Sequence, residues 1–178
     1  MAGGFYCGRT LENPATMWIP RHRGMRCPFR GRGVRAMSKV TIQAFVLAAM
    51  LEHAREAWPI ECCGLLTGQG THTSGIRRAT NERLSTSTFF IPPPELFDFF
   101  RSLRATGEEF TGIYHSHPNG PAIPSTRDTQ EFHYREVCYW IISLEGPVPD
   151  IRCYRWGTMT FEEIGYEVVV DSLASDNG

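Results

Sequence analysis

No run in this sequence reaches the roughly 18 to 20 apolar residues that a membrane-spanning helix needs. The N-terminus lacks the apolar core of a secretory signal. Six cysteines occur, Cys7, Cys27, Cys62, Cys63, Cys138 and Cys153, but no CxxC pair and no dense framework. Adjacent Cys62 and Cys63 cannot comfortably bridge each other, so all six read as reduced thiols of a cytoplasmic protein. There is no HExxH, which excludes the helical zincin arrangement. No internal repeat is present. A net charge of −1 gives no general reason to expect a membrane or nucleic-acid partner. Past residue 36 lysine occurs once, at Lys39, a scarcity that says nothing about mechanism.

That charge balance hides an asymmetry. Residues 1–36 carry seven arginines and one acid, Glu12, without apolar periodicity. The segment fits a nucleic-acid-binding or organelle-targeting arm, a natural flexible tail, or a wrongly chosen upstream start codon with translation beginning at Met37. A tail without domain function is expected, because Met37 and Ser38 lead straight into the first periodic segment. The remaining residues suffice for one domain with a real core, placed at 37–172 and followed by a flexible C-terminus, 173–178.

Apolar residues recur at helical spacing from Thr41 to Trp58, and Pro59 ends that helix. Cys62–Gly68 reads as a buried strand and Thr71–Thr80 as a more polar one. Phe89, Phe90 and Ile91 form a short apolar run. Three prolines introduce a helix over about Pro94–Arg104, with Leu96, Phe99, Phe100 and Leu103 on one face. Phe110–Ser116 reads as a strand, Ser125–Val137 as a third helix, and Cys138–Leu144, Ile151–Trp156 and Phe161–Val170 as strands. This order predicts an α/β fold, a mixed β-sheet flanked by helices in a single domain. It alternates too irregularly for a doubly wound parallel sheet.

His115 and His117 stand two apart near a strand end. Side chains alternate on a strand, so both imidazoles project to the same side. Pro118 stops further pairing, which leaves them at the tip. Asn119–Pro124 turns the chain, and Asp128 falls in the first turn of the third helix. Two imidazoles and a carboxylate leave a fourth tetrahedral position open, as in a catalytic zinc site. The same residues also read as a histidine pair beside a capping box, with Ser125 as N-cap and Asp128 at N3. Spacing alone leaves both readings open. A hydrolytic metal site needs a general base. Glu61, at the mouth of the Cys62–Thr67 strand, is placed to reach a cleft while staying solvated; it also reads as a plain strand-end charge.

Taken together, Glu61-Cys62-Cys63-Gly64, His115-Ser116-His117-Pro118 and Ser125-Thr126-Arg127-Asp128 resemble the motif of the JAMM/MPN (Mov34/MPN/PAD-1) metalloproteases, compact stand-alone prokaryotic type. The resemblance covers roughly residues 40–170. It implies a JAMM/MPN-type, cytidine-deaminase-like domain. It implies that His115, His117 and Asp128 bind Zn²⁺, that Glu61 carries protons, and that Ser125 stabilises an oxyanion while competing for a capping role. It implies hydrolysis of a peptide or isopeptide bond, with the C-terminal tail of a ubiquitin-like or sulfur-carrier protein as substrate, and a possible homodimer. Two other readings stay open: a non-catalytic MPN scaffold, and a RadC-like DNA-associated protein. Cys63 is expected on the strand face of Glu61, either as a redox-sensitive thiol or as a small buried residue.

Overall fold

The computed structural model describes residues 39–170. The expected N-terminal tail, 1–36, and the C-terminal segment, 173–178, lie outside the described residues. The feature that pointed to nucleic acid lies there too.

The first element is a strand, β1 (Val40–Gln43), and the first helix, α1, runs Ala44–Ala57. This corrects the expectation of a helix from Thr41. Val40, Thr41 and Ile42 are β-branched. They lie between two strands distant in sequence, whose ladders outweigh the local helical period. α1 ends where Trp58 turns extended, because a residue before proline is pushed out of the α region. Then come β2 (Cys63–Gln69), β3 (His72–Ala79), α2 (Pro93–Thr106), β4 (Glu109–His117) and α3 (Thr126–Glu131). β5 (Cys138–Ser143), β6 (Asp150–Trp156), β7 (Phe161–Ile164) and β8 (Tyr166–Val169) follow. Phe89, Phe90 and Ile91 form no strand; Ile91 is buried within the loop before α2. α2 starts on prolines and closes at Gly107, whose φ of 76° suits a residue without Cβ and whose N–H bonds the Leu103 carbonyl.

The eight strands order as β7-β6-β5-β4-β2-β3-β1-β8. β4 runs parallel to β5 and antiparallel to β2, so the sheet is mixed. β7 and β8 sit at opposite ends of that order although Gly165 alone separates them in sequence. The expected strand Phe161–Val170 is therefore one extended segment split at Gly165. Its first half ladders with β6 and its second with β1. A segment that short reaches both ends only if the sheet curls. Tyr166 of β8 spans the curl: its ring lies 4.8 Å from that of Trp140 on β5, and its hydroxyl donates to the Ile151 carbonyl of β6.

Residue parity splits the core in two. Leu66, Tyr114, Trp140 and Ile142 pack with Val46, Met50 and Ala54 of α1. Their strand neighbours Leu65, Ile113, Tyr139 and Ile141 pack with Leu96, Phe99 and Leu103 of α2. Helices thus cover both faces. α3 has six residues rather than the thirteen implied by Ser125–Val137. Phe132 leaves the helix with ψ 113° because burial against Tyr139 and Phe161, at centroid distances of 4.7 and 4.9 Å, outweighs another turn. Among the described residues no helix is long and apolar enough to cross a membrane.

Candidate metal centre

β4 lies inside the sheet, between β2 and β5, so its end is held from both sides. His115 and His117 point to the α2 and α3 face. Ser116 points the other way and accepts the Cys62 N–H at 2.8 Å. The ladder stops at Pro118, and the chain turns into α3 through its capping box. The Ser125 Oγ accepts the Asp128 N–H at 3.1 Å. Asp128 Oδ2 accepts the Ser125 N–H at 2.7 Å and the Ser125 hydroxyl at 2.6 Å. The capping role of Ser125 is therefore realised, and it aims the carboxylate at the strand tip. Tyr139 donates its hydroxyl to Asp128 Oδ1 at 2.7 Å.

His115, His117 and Asp128 offer ligand atoms that all lie within 4.8 Å of one another. The two Nε2 atoms are 2.9 Å apart. Asp128 Oδ1 is 3.4 Å from His115 Nε2, and Oδ2 is 3.6 Å from His117 Nε2. Tetrahedral bonds of about 2.0 to 2.1 Å give ligand–ligand edges of about 3.3 Å. Each imidazole is near that edge length from the other and from one Asp128 oxygen, so the triangle can close on such an ion through either oxygen. His117 Nδ1 donates to the Pro121 carbonyl at 2.7 Å, which leaves its Nε2 lone pair toward the triangle. Burial lowers the His115 pKa to about 4, against the opposing pull of Asp128, so its ring stays neutral and able to donate. Burial also pushes Asp128 up, but hydrogen bonds and the histidines outweigh it and hold the carboxyl well below its usual range. Burial pushes His117 down; Asp128 and the Pro121 carbonyl outweigh it and raise its pKa. Phe89 stacks on the His115 ring at 4.9 Å and 28°, and Tyr139 lies against it at 5.0 Å.

Glu61 reaches the same place by register. Cys63 pairs with His115, and the Ser116 N–H bonds the Cys62 carbonyl at 3.0 Å. One further step of that antiparallel ladder sets Glu61 beside His117. The expectation of a solvated carboxylate is corrected, since Glu61 is 4% exposed. Burial pushes its pKa up to about 7, with the His117 charge lowering it and the Asp128 charge raising it. Cys63 is fully buried, and its thiol lies 3.7 Å from the Thr80 carbonyl. Burial pushes both neighbouring thiols up, Cys62 to about 11, so Cys63 is a protonated packing residue. The glycine of the motif also has a packing reason. A Cβ on Gly64 would stand 2.3 Å from the Tyr114 ring.

Sequence reasoning missed Tyr139; it expects Asn81–Ile91 around the cleft but assigns no role to Phe89 or Asn81 within that stretch. Tyr139 sits two positions before Ile141, the β5 partner of His115, so the β4–β5 register was the signal needed. Phe89 and Asn81 carry no spacing signal, because a loop brings them in. Arg83 of that loop bonds the Phe89 carbonyl at 3.2 Å and Glu131 of α3 at 2.8 Å, joining the two walls around the histidines.

Residues 43–157 match the family model described as prokaryotic homologs of the JAB domain. A desampylase of Haloferax volcanii is 25% identical over 138 residues, covering 74% of this chain and 97% of that protein. A CysO-cysteine peptidase of Mycobacterium tuberculosis is 29% identical over 119 residues, covering 65% and 82%. The crystal structure of a JAB1/MPN domain protein from Archaeoglobus fulgidus superposes with a TM-score of 0.50 at 25% identity, over 73% of this chain and 99% of that one.

Proposed function

Because the chain belongs to the family of prokaryotic homologs of the JAB domain, we propose that it is a zinc-dependent metallopeptidase. We assign its action to a peptide or isopeptide bond at the C-terminal tail of a ubiquitin-like protein of the sulfur-carrier type. The observation that carries the reading is the convergence of three ligand atoms within 4.8 Å beside a buried carboxyl. The two relatives bear the names of cleaving enzymes, which supports hydrolysis. A non-catalytic scaffold would dispense with part of this set, and none of it is missing.

His115, His117 and Asp128 would hold the ion, and Zn²⁺ suits two neutral imidazoles and a carboxylate. When bound, zinc supplies a Lewis acid that polarises the scissile carbonyl and acidifies water. Glu61 accepts a proton from the attacking water and delivers it to the leaving nitrogen as the C–N bond breaks. A buried carboxyl beside the ligand triad is placed both to take that proton and to give it up. Ser125 is exposed, and its hydroxyl proton rests on Asp128 in this structure. To serve an oxyanion it turns away from Asp128 Oδ2.

The test is zinc analysis and turnover of a ubiquitin-like sulfur carrier extended by a short peptide after its Gly-Gly end. Wild type is expected to bind one zinc and to cut after Gly-Gly. Glu61→Gln keeps the zinc and loses about 10² to 10⁴ in rate. A zinc-free wild type, or equal rates in both proteins, refutes the reading. Four free buried thiols, Cys62, Cys63, Cys138 and Cys153, support a cytoplasmic setting, which cell fractionation checks. Pairing into a homodimer follows the family resemblance, and light scattering measures it.

A further inference from the structure

Glu61 stands just before β2, so the register sets it beside His117 but its own backbone bonds go to another segment. Its N–H donates to the Ser85 carbonyl at 2.9 Å. Its carbonyl accepts the Asn81 side-chain amide at 3.0 Å. Both partners belong to the loop between β3 and α2. Asn81 is 7% exposed and uses its whole amide. The same Nδ2 donates to the Thr88 carbonyl at 2.9 Å. Oδ1 accepts the N–H groups of Arg83 and Phe90, each at 3.1 Å. Four bonds from one side chain thus pin the loop across its base, and the Glu82 N–H adds a bond to the Phe90 carbonyl at 2.9 Å. Phe89, which stacks on His115, stands between the two pinned residues Thr88 and Phe90.

We propose that Asn81 is a positioning residue for the hydrolysis, fixing Glu61 and the Phe89 wall over His115 as one unit. The assignment rests on the peptidase reading above. Asn81 touches no reacting atom; it acts through the backbone of Glu61. An amide is required there because the site asks for two donated and two accepted bonds, which neither a carboxylate nor a hydroxyl supplies. A buried side chain with every bond made also resists removal, since each lost partner leaves an unpaired backbone group.

The test uses the full-length, zinc-loaded protein with Asn81→Asp and Asn81→Ser. Asp is isosteric and keeps the acceptor for Arg83 and Phe90, but turns an oxygen toward the Glu61 and Thr88 carbonyls. Amide hydrogen exchange is followed over residues 58–64, 80–92 and 110–117. Exchange is expected to quicken by about tenfold in the first two segments and to stay unchanged in the third, with one zinc retained. Turnover of the Gly-Gly extended carrier is expected to lose about 100-fold in kcat at an unchanged KM. In the Glu61→Gln background the same substitution is expected to change the residual rate by less than about twofold, as for two groups acting through one step. Unaltered exchange at 58–64, quickening that extends equally to 110–117, or losses that add in the double variant each overturn the proposal. An inactive wild type refutes the assigned substrate alone, and the exchange measurement then decides the role of Asn81.

Discussion

Glu61 carries a cost that a denaturation experiment reads directly. The residue is 4% exposed, and burial moves its pKa from 4.5 to about 7 in the metal-free protein. The folded chain therefore holds this proton over a pH range where the unfolded chain has released it. The stability linked to the proton is fully present below pH 4.5 and is lost as pH rises through 7. At about 1.4 kcal/mol per pH unit, the loss amounts to roughly 3 kcal/mol. Gln is isosteric and does not titrate, so Glu61→Gln removes this dependence and leaves the other titrating groups in place. Urea unfolding of both proteins with a zinc chelator, at steps from pH 4.5 to 8, gives the difference. Wild type is expected to fall relative to the variant by roughly 3 kcal/mol across that window, then to level off. Saturating zinc is expected to flatten the wild-type curve, since a nearby cation favours the carboxylate. A difference that stays constant with pH refutes the buried, raised carboxyl. A difference that grows in the other direction refutes it as well, because it marks a carboxylate held by a cationic partner.

Three further outcomes follow from the packing around the site. Tyr139→Phe keeps the ring against His115 but removes the donor to Asp128 Oδ1, and is expected to weaken zinc binding about tenfold in a chelator-competition titration. Gly64→Ala forces a Cβ against the Tyr114 ring, whose hydroxyl is bonded to His53 at 2.8 Å; a loss of about 1 to 3 kcal/mol is expected by urea unfolding, with His115 and His117 still able to bind zinc. Phe99→Ala empties the centre of the α2 face, where Phe99 is 1% exposed and meets Phe100 and Phe110 at 5.4 and 5.3 Å; about 3 to 5 kcal/mol is expected to be lost, read as a fall in Tm.

The sequence made the chemistry more legible than the scaffold, and the reason is range. His115 and His117 face one way because a strand alternates, a property of three consecutive residues. Ser125 and Asp128 are joined by a capping box, a property of four. Such features survive any error in pairing. The misread elements are those fixed by partners far away. β1 has helical apolar spacing and becomes a strand because β3 and β8 flank it. α3 stops at Glu131 because Phe132 belongs to an aromatic cluster built by β5 and β7. The split of β7 from β8 reflects a curl that no local pattern encodes.

Glu61 stands between these cases. Its identity was legible as a charge ahead of an apolar strand, but its environment was not. A strand-mouth acid is normally wet, and this one is buried where the Asn81 loop takes both of its backbone bonds. The motif supplies the donors and the proton carrier, whereas the loop between β3 and α2 holds the backbone of that carrier in place.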